Sequence, residues 1–178
     1  MWRLSVDDCL RSVVRCASTE DAVAVLDTAI SSGLVRFAEL ASLFDREPSW
    51  TAAIVRLAKP GSESGVESLA RQRLERHGHH VEQQVHIRGV GRVDMRIDGR
   101  MLVEVDGYAF HSDRDAFERD RHRDAELVRR GHRVLRFSAR QVVEEWRQVE
   151  TAIDAALAIP ESTRDAPLRT QELRRFAG

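Results

Sequence analysis

The stretch Arg92–Gly107, RVDMRIDGRMLVEVDG, decides the fold. It holds two alternating runs on either side of Asp98-Gly99-Arg100. In the first, Val93, Met95 and Ile97 are apolar while Arg92, Asp94, Arg96 and Asp98 are polar. In the second, Met101, Val103 and Val105 alternate with Leu102, Glu104 and Asp106. A period of two predicts strands with one face in a core. If both apolar triplets share that face, Ile97 pairs with Met101, Met95 with Val103 and Val93 with Val105. This register needs a three-residue turn, and Asp-Gly suits such a hairpin. It sets Asp94 opposite Glu104 on the other face, with Cβ atoms about 5 Å apart. A two-residue turn would separate the acids, so the apolar pattern selects the register that clusters them.

Two carboxylates that close repel by roughly a few kcal/mol at an intermediate dielectric. One raised pKa would relieve this. So would pairing with Arg92 or Arg96, which flank Asp94 in sequence. The third solution is a divalent cation, and hard oxygen ligands suit Mg2+ or Mn2+.

Upstream, Ser64 and Glu67 have capping-box spacing, and Val66, Leu69, Ala70 and Leu74 form the apolar face of a helix. Gly78 in His77-Gly78-His79-His80 is a natural stop. A strand, VEQQVHI, and a GVG turn follow. Downstream, Gly107 permits a sharp exit from the strand. A helix is expected over about Asp113 to Arg130, with Phe117, Asp120, Arg121, Asp124 and Leu127/Val128 on one side. A strand, HRVLRF, and one long helix capped by Ser138 complete the pattern. The order helix, three antiparallel strands, helix, strand, helix predicts an α/β fold with an αβββαβα core and a mixed sheet. The last strand is reached by a helical crossover and so can pair in parallel.

Before this unit lie short helices. Ser5 caps the first, towards Cys16, and Thr19 is the expected cap of the second, which ends near Gly33. A third should place Phe37, Leu40 and Leu43/Phe44 on one face, and SWTAAIVRLAK adds a turn or two. Such helices fit either a helix-turn-helix or winged-helix piece or a plain helical cap. Lys59–Gly65, KPGSESG, reads as a linker. The expected organisation is a helical region at 1–60, the α/β unit at 61–159 and a polar tail at 160–178.

The 178 residues carry a net charge of -1, which argues against a general nucleic-acid coat protein but allows a local basic groove. Lys59 is the only lysine beside many arginines, a composition bias more than a phosphate signature. Cys9 and Cys16 lie about 10 Å apart along one helix, too far to bridge. No metal-type Cys/His spacing is visible, so a structural zinc site is not expected. No signal-peptide core or long apolar run is present, and a cytoplasmic, reduced protein without membrane contact is expected.

Taken together, RVDMRID, MLVEVDGYAFH and RDRHRDAELVRRGHRVLRFSARQV resemble the very-short-patch-repair-like endonucleases of the PD-(D/E)XK superfamily. More narrowly they resemble a bacterial family of unknown function with that nuclease fold. The likeness covers about Ser64 to Ala158. The helices before it are similar, weakly, to the winged-helix part of AbiE-type antitoxins. The resemblance implies a Mg2+- or Mn2+-dependent phosphodiesterase acting on nucleic acid, DNA rather than RNA, with a homodimer where both strands are cut. Asp94 and Glu104 would be the metal ligands. The superfamily usually has a lysine two residues after that Glu; here the position is Asp106, which would hold a water or orient a histidine. His111 matches a histidine that very-short-patch enzymes use in this loop, as a proton carrier. Glu67 matches an acid on the first helix, although capping accounts for it equally well. Arg119, Arg123 and Arg136 are the candidate phosphate contacts. The alternative is a non-catalytic nucleic-acid-binding or antitoxin-like regulator on a degenerate nuclease fold.

Overall fold

The structure, a computed structural model, describes residues 4–107 and 114–160, with the side chains of the helix that follows position 113 described from Arg121 onward. The helices α1 (Val6–Cys16), α2 (Thr19–Ser31), α3 (Phe37–Leu43) and α4 (Thr51–Val55) come first. Then follow α5 (Gly65–Arg76), β1 (Val81–Ile87), β2 (Gly91–Ile97), β3 (Met101–Asp106), α6 (Arg114–Arg129), β4 (Arg133–Ser138), α7 (Ala139–Glu144) and α8 (Trp146–Ala158). The sheet order is β1-β2-β3-β4, antiparallel except for the parallel β3–β4 pair. This is the mixed α/β arrangement that the alternation pattern implies. Among the described residues, no helix is long and apolar enough to cross a membrane.

The β2–β3 register is Ile97↔Met101, Arg96↔Leu102 and Met95↔Val103. The turn between them has three residues, as the apolar phase requires. Asp98 and Gly99 both take left-handed φ values, 51° and 68°, and Arg100 N donates to Ile97 O at 3.0 Å. These are the φ signs of a type I′ turn.

The sheet buries both faces. Met95, Ile97, Met101, Val103 and Phe137 pack on Ala70 and Leu74 of α5, Val142 of α7, and Val149 and Ile153 of α8. On the other side Ile87, Val93 and Leu102 pack on Leu127 of α6, so Val93 does not share the face of Met95 and Ile97 as expected, and the expected Val93–Val105 pair is not in the ladder, which stops at Met95↔Val103. A separate cluster, including Leu10, Val14, Leu26, Leu40 and Phe44, holds α1–α4 together.

Several local expectations are corrected. Ser18 rather than Thr19 caps α2, its side chain accepting from Asp21 N, so Thr19 is the first helical residue. Phe37 and Val128 are exposed, 50% and 66%, whereas Leu40 and Phe44 of the first stripe and Leu127 of the second are buried. The expected single C-terminal helix is two: Glu145 leaves helical geometry at φ -123°, ψ 31°, between α7 and α8. Ser138 does cap α7, with a reciprocal capping box to Gln141. The segment 59–65 is irregular but pinned: Lys59 N donates to the Asp27 carboxylate at 2.8 Å, and Ser62 Oγ donates to Gln83 at 3.1 Å.

Candidate functional site

The site lies where the ladders on either side of Asp94 open. The β1–β2 pairs run from Val81↔Ile97 to Ile87↔Gly91 but skip Gln84 and Asp94. The β2–β3 pairs stop at Met95↔Val103, one step short of Asp94 and Glu104. The Asp94 carboxylate fills the gap: its Oδ2 accepts from Val105 N at 2.8 Å. One register step across, Glu104 pairs in parallel with Arg136. Gln84, Asp94, Glu104 and Arg136 therefore form a polar row over all four strands.

Neither neighbouring arginine neutralises Asp94. Arg92 pairs with Glu63 at 2.6 Å, and Arg96 is taken by Glu82. The arginines instead meet at Glu104, which is 5% exposed. Arg123 Nη2 of α6 lies 2.6 Å from its Oε1, and Arg136 Nη2 lies 2.7 Å from its Oε2. Arg136 directs its hydrogen bond at Asp124 Oδ1, 2.5 Å away, and its Nη1 is 3.9 Å from Asp106. Arg136 Nε is buried with no hydrogen-bond partner among the described residues, while Glu104 Oε2 is held by its ion pair with Arg136.

Glu67 enters from the first turn of α5. Its Oε1 accepts from Ser64 Oγ at 2.8 Å, and its Oε2 accepts from Glu63 N at 2.9 Å and from Gln84 Nε2 at 3.1 Å. Capping explains the first two contacts but not the third. Gln84 reaches Glu67 from a strand position at φ 50°. A non-glycine residue in this region costs of order 1–3 kcal/mol, and such strain gathers at functional sites. Sequence reading passed over Gln84. The only trace of it in VEQQVHI is that Gln83 occupies the apolar phase between Val81 and Val85.

The structure therefore gathers Glu67, Asp94, Glu104 and Asp106, together with Arg123 and Arg136, at one end of the sheet. His111 and the Arg119 side chain lie outside the described residues. Glu67, Asp94 and Glu104 all have pKa values above the ordinary carboxylate range. Burial is the largest cause for each, and Asp94 raises both of its neighbours further. The arginines oppose the rise at Glu104 without cancelling it. Asp106 and Asp124 add to the carboxylates around Arg123 and Arg136.

A folded-state pKa above the ordinary value means that the folded chain binds more protons than the unfolded one across that interval. Stability then falls as pH rises through it. The interval opens at 3.8 for Asp94 and at 4.5 for Glu67 and Glu104. Glu67→Gln keeps an acceptor for Ser64 and removes one charge. It should gain stability relative to the unsubstituted chain as pH is raised above about 4.5. Denaturation midpoints measured between pH 4 and 8 read the effect. A constant gap would show that Glu67 feels no repulsion.

A cluster of buried carboxylates with raised pKa values fits a hard divalent cation. Asp94 and Glu104 are the residues that would hold one. Glu67, Asp94 and Glu104 are not drawn into a closed cage, so water and substrate oxygens would complete the coordination, as Mg2+ prefers. Among the described residues, the one His/Cys/Asp/Glu trio whose ligand atoms all lie within 4.8 Å is elsewhere: His77, His79 and Asp154.

Over residues 67–157, a little over half of its length, the chain matches the family model REase_MTES_1575. Neither the curated proteins nor the solved structures give a match.

Proposed function

The chain belongs to the restriction-endonuclease-like family REase_MTES_1575, and from that premise we propose that it is a metal-dependent nuclease hydrolysing phosphodiester bonds in DNA. The observation that carries the reading is the Asp94–Glu104 pair at the open end of β2 and β3. Neither Arg92 nor Arg96 neutralises Asp94, whose Oδ2 accepts from Val105 N while burial holds its carboxyl above the ordinary range.

A bound Mg2+ or Mn2+ would polarise the scissile phosphate and acidify the attacking water. Asp94 and Glu104 would supply the anionic oxygens that hold it. Glu67, aligned by Gln84, would orient a water from the α5 side. Arg123 and Arg136 neutralise Glu104 in this structure. With a cation present they would turn towards substrate phosphate, for which guanidinium geometry is well suited. Asp106 stands where the superfamily usually has lysine, and Arg123 and Arg136 bring cationic groups to this site. His111 would carry the proton to or from the reacting oxygen, since imidazole titrates near neutral pH. Cutting both strands would require two copies of the chain.

The replacement of that lysine by Asp106 favours a second reading, a nucleic-acid-binding protein that has lost turnover. An assay with duplex, nicked, mismatched, branched and single-stranded DNA and with RNA, in Mg2+ and in Mn2+, separates the two. Cleavage that EDTA abolishes supports the nuclease. Retention of DNA without cleavage in either metal, at any pH from 6 to 9, supports the binder.

A further inference from the structure

At the opposite end of α5 from Glu67, the sequence His77-Gly78-His79-His80 folds against α8 and the β2–β3 turn. His77 is the C-cap of α5, and Gly78 at φ 101° reverses the chain so that His79 returns beside it. The two imidazole centroids are 5.5 Å apart. Their Nε2 atoms flank one carboxylate of α8: His77 Nε2 lies 3.4 Å from Asp154 Oδ2, and His79 Nε2 lies 3.3 Å from Asp154 Oδ1. Each Nδ1 faces a different acid. That of His77 is 3.1 Å from Glu150 Oε1, and that of His79 is 2.8 Å from Asp98 Oδ2. Asp98 is itself fixed, its Oδ1 accepting from His80 N at 2.8 Å and its own N donating to His80 O at 2.9 Å.

We propose that His77, His79 and Asp154 form a second metal site, separate from the carboxylates on the sheet, that takes a divalent ion of the zinc class.

Three features carry this. First, the Nε2–carboxylate separations are longer than an ordinary N–H···O contact, which centres near 2.9–3.0 Å. They match the edge of a tetrahedron with metal–ligand bonds of about 2.0–2.1 Å, which is about 3.3–3.4 Å. Second, Asp98 hydrogen-bonds His79 Nδ1 at 2.8 Å and Glu150 lies 3.1 Å from His77 Nδ1, the carboxylate–histidine arrangement that would hold ligating imidazoles in the tautomer with Nε2 free for a metal. In that tautomer two lone pairs face the Asp154 oxygens, and only a cation or extra protons can relieve the clash. Third, imidazole nitrogen with one carboxylate suits zinc, cobalt or nickel rather than Mg2+, which wants oxygen. The side chains of His77 and Asp154 are 44% and 47% exposed, so ions have access and water can fill a fourth position.

The ion would join the C-terminus of α5, the β2–β3 turn and α8, elements that meet only through packing elsewhere. The site was not legible from spacing, because Asp154 lies 75 residues beyond His79 and neither Glu150 nor Asp98 neighbours the histidines in sequence.

The test uses the untagged full chain carrying Asp94→Asn and Glu104→Gln, so that the sheet acids cannot contribute. Zinc chloride titrated calorimetrically at pH 7.5 should bind saturably, one ion per chain. It should raise the Tm by about 5–10 °C at a concentration roughly 100-fold above Kd. Adding His77→Gln or Asp154→Asn should weaken binding at least about tenfold, and Asp98→Asn about 10–100-fold through the lost outer partner. Cobalt should give the visible absorption of tetrahedral Co2+. No saturable zinc binding, or affinity unchanged by both His77→Gln and Asp154→Asn, overturns the proposal and leaves the cluster as a protonated histidine–carboxylate network. Those two positions are half exposed, so their variants decide the question even if a change at His79 disturbs folding.

Discussion

Asp94→Asn is expected to reduce DNA hydrolysis in Mg2+ by about a thousandfold or more while leaving the Tm equal to or above that of the unsubstituted chain. The rate effect follows from the role assigned to this side chain. A divalent ion that polarises phosphate and acidifies water supplies several kcal/mol of transition-state stabilisation, and each 1.4 kcal/mol or so is tenfold in rate. An amide keeps the shape but not the charge that would hold the ion. The stability effect runs the other way for a reason visible in the structure. Burial holds the Asp94 carboxyl above its ordinary pKa, and it in turn raises Glu67 and Glu104. Neutralising it at pH 7 removes repulsion, while the amide oxygen still accepts from Val105 N, as Asp94 Oδ2 does. Initial rates on plasmid DNA and melting curves of the same preparations read both effects. A variant that cuts at the parent rate removes Asp94 from the mechanism. A variant that loses activity and melts many degrees lower makes Asp94 a structural residue.

What the sequence disclosed, and what it hid, divides along the reach of the interactions. The β2–β3 register from Met95↔Val103 to Ile97↔Met101 was legible because Met95, Ile97, Met101 and Val103 share one alternating phase, and only one turn length lets both strands bury it. The expected pairs Val93 with Val105 and Asp94 with Glu104 lie beyond the point where that ladder stops, at Met95↔Val103. The crossover to β4 was legible because a helix separates it from β3. Gln84 was not. Its importance lies in a left-handed backbone angle opposite the one position where the ladder fails, and nothing in its neighbours demands that angle. The break at Glu145 was equally hidden, since no proline or glycine marks it and the apolar positions Val142, Val149 and Ile153 continue through it. Arg123 and Arg136 were read as phosphate contacts. Their present partner, Glu104, comes from a strand that only the tertiary fold brings between them. Asp27 was passed over in the sequence, and it is 0% exposed.

Asp27→Ala is therefore expected to cost about 3–5 kcal/mol of folding stability. Asp27 of α2 accepts three hydrogen bonds: from Lys59 N at 2.8 Å, from Ser68 Oγ at 2.6 Å and from Arg71 Nη2 at 2.8 Å. Arg71 of α5 is 1% exposed. It keeps Glu75 at 2.8 Å and the Leu57 carbonyl at 3.2 Å, but its Nε already has no partner. Without Asp27 the guanidinium stays buried and under-compensated, the condition under which breaking a buried pair costs far more than the pair contributes. Replacing both residues, Asp27→Leu with Arg71→Met, should recover most of the loss, because similar volume remains and no charge is stranded. Urea denaturation of the two single variants and the double variant closes the cycle. A cost below about 1 kcal/mol for Asp27→Ala, or a double variant no better than the singles, would show that the pair is solvated. Since whole domains are stable by only about 5–15 kcal/mol, the loss should also reach the site. Glu67 is one helical turn before Arg71 on α5, so loosening that helix moves an acid proposed to orient water. The double variant, which restores α5 without restoring the charges, should then regain activity along with stability.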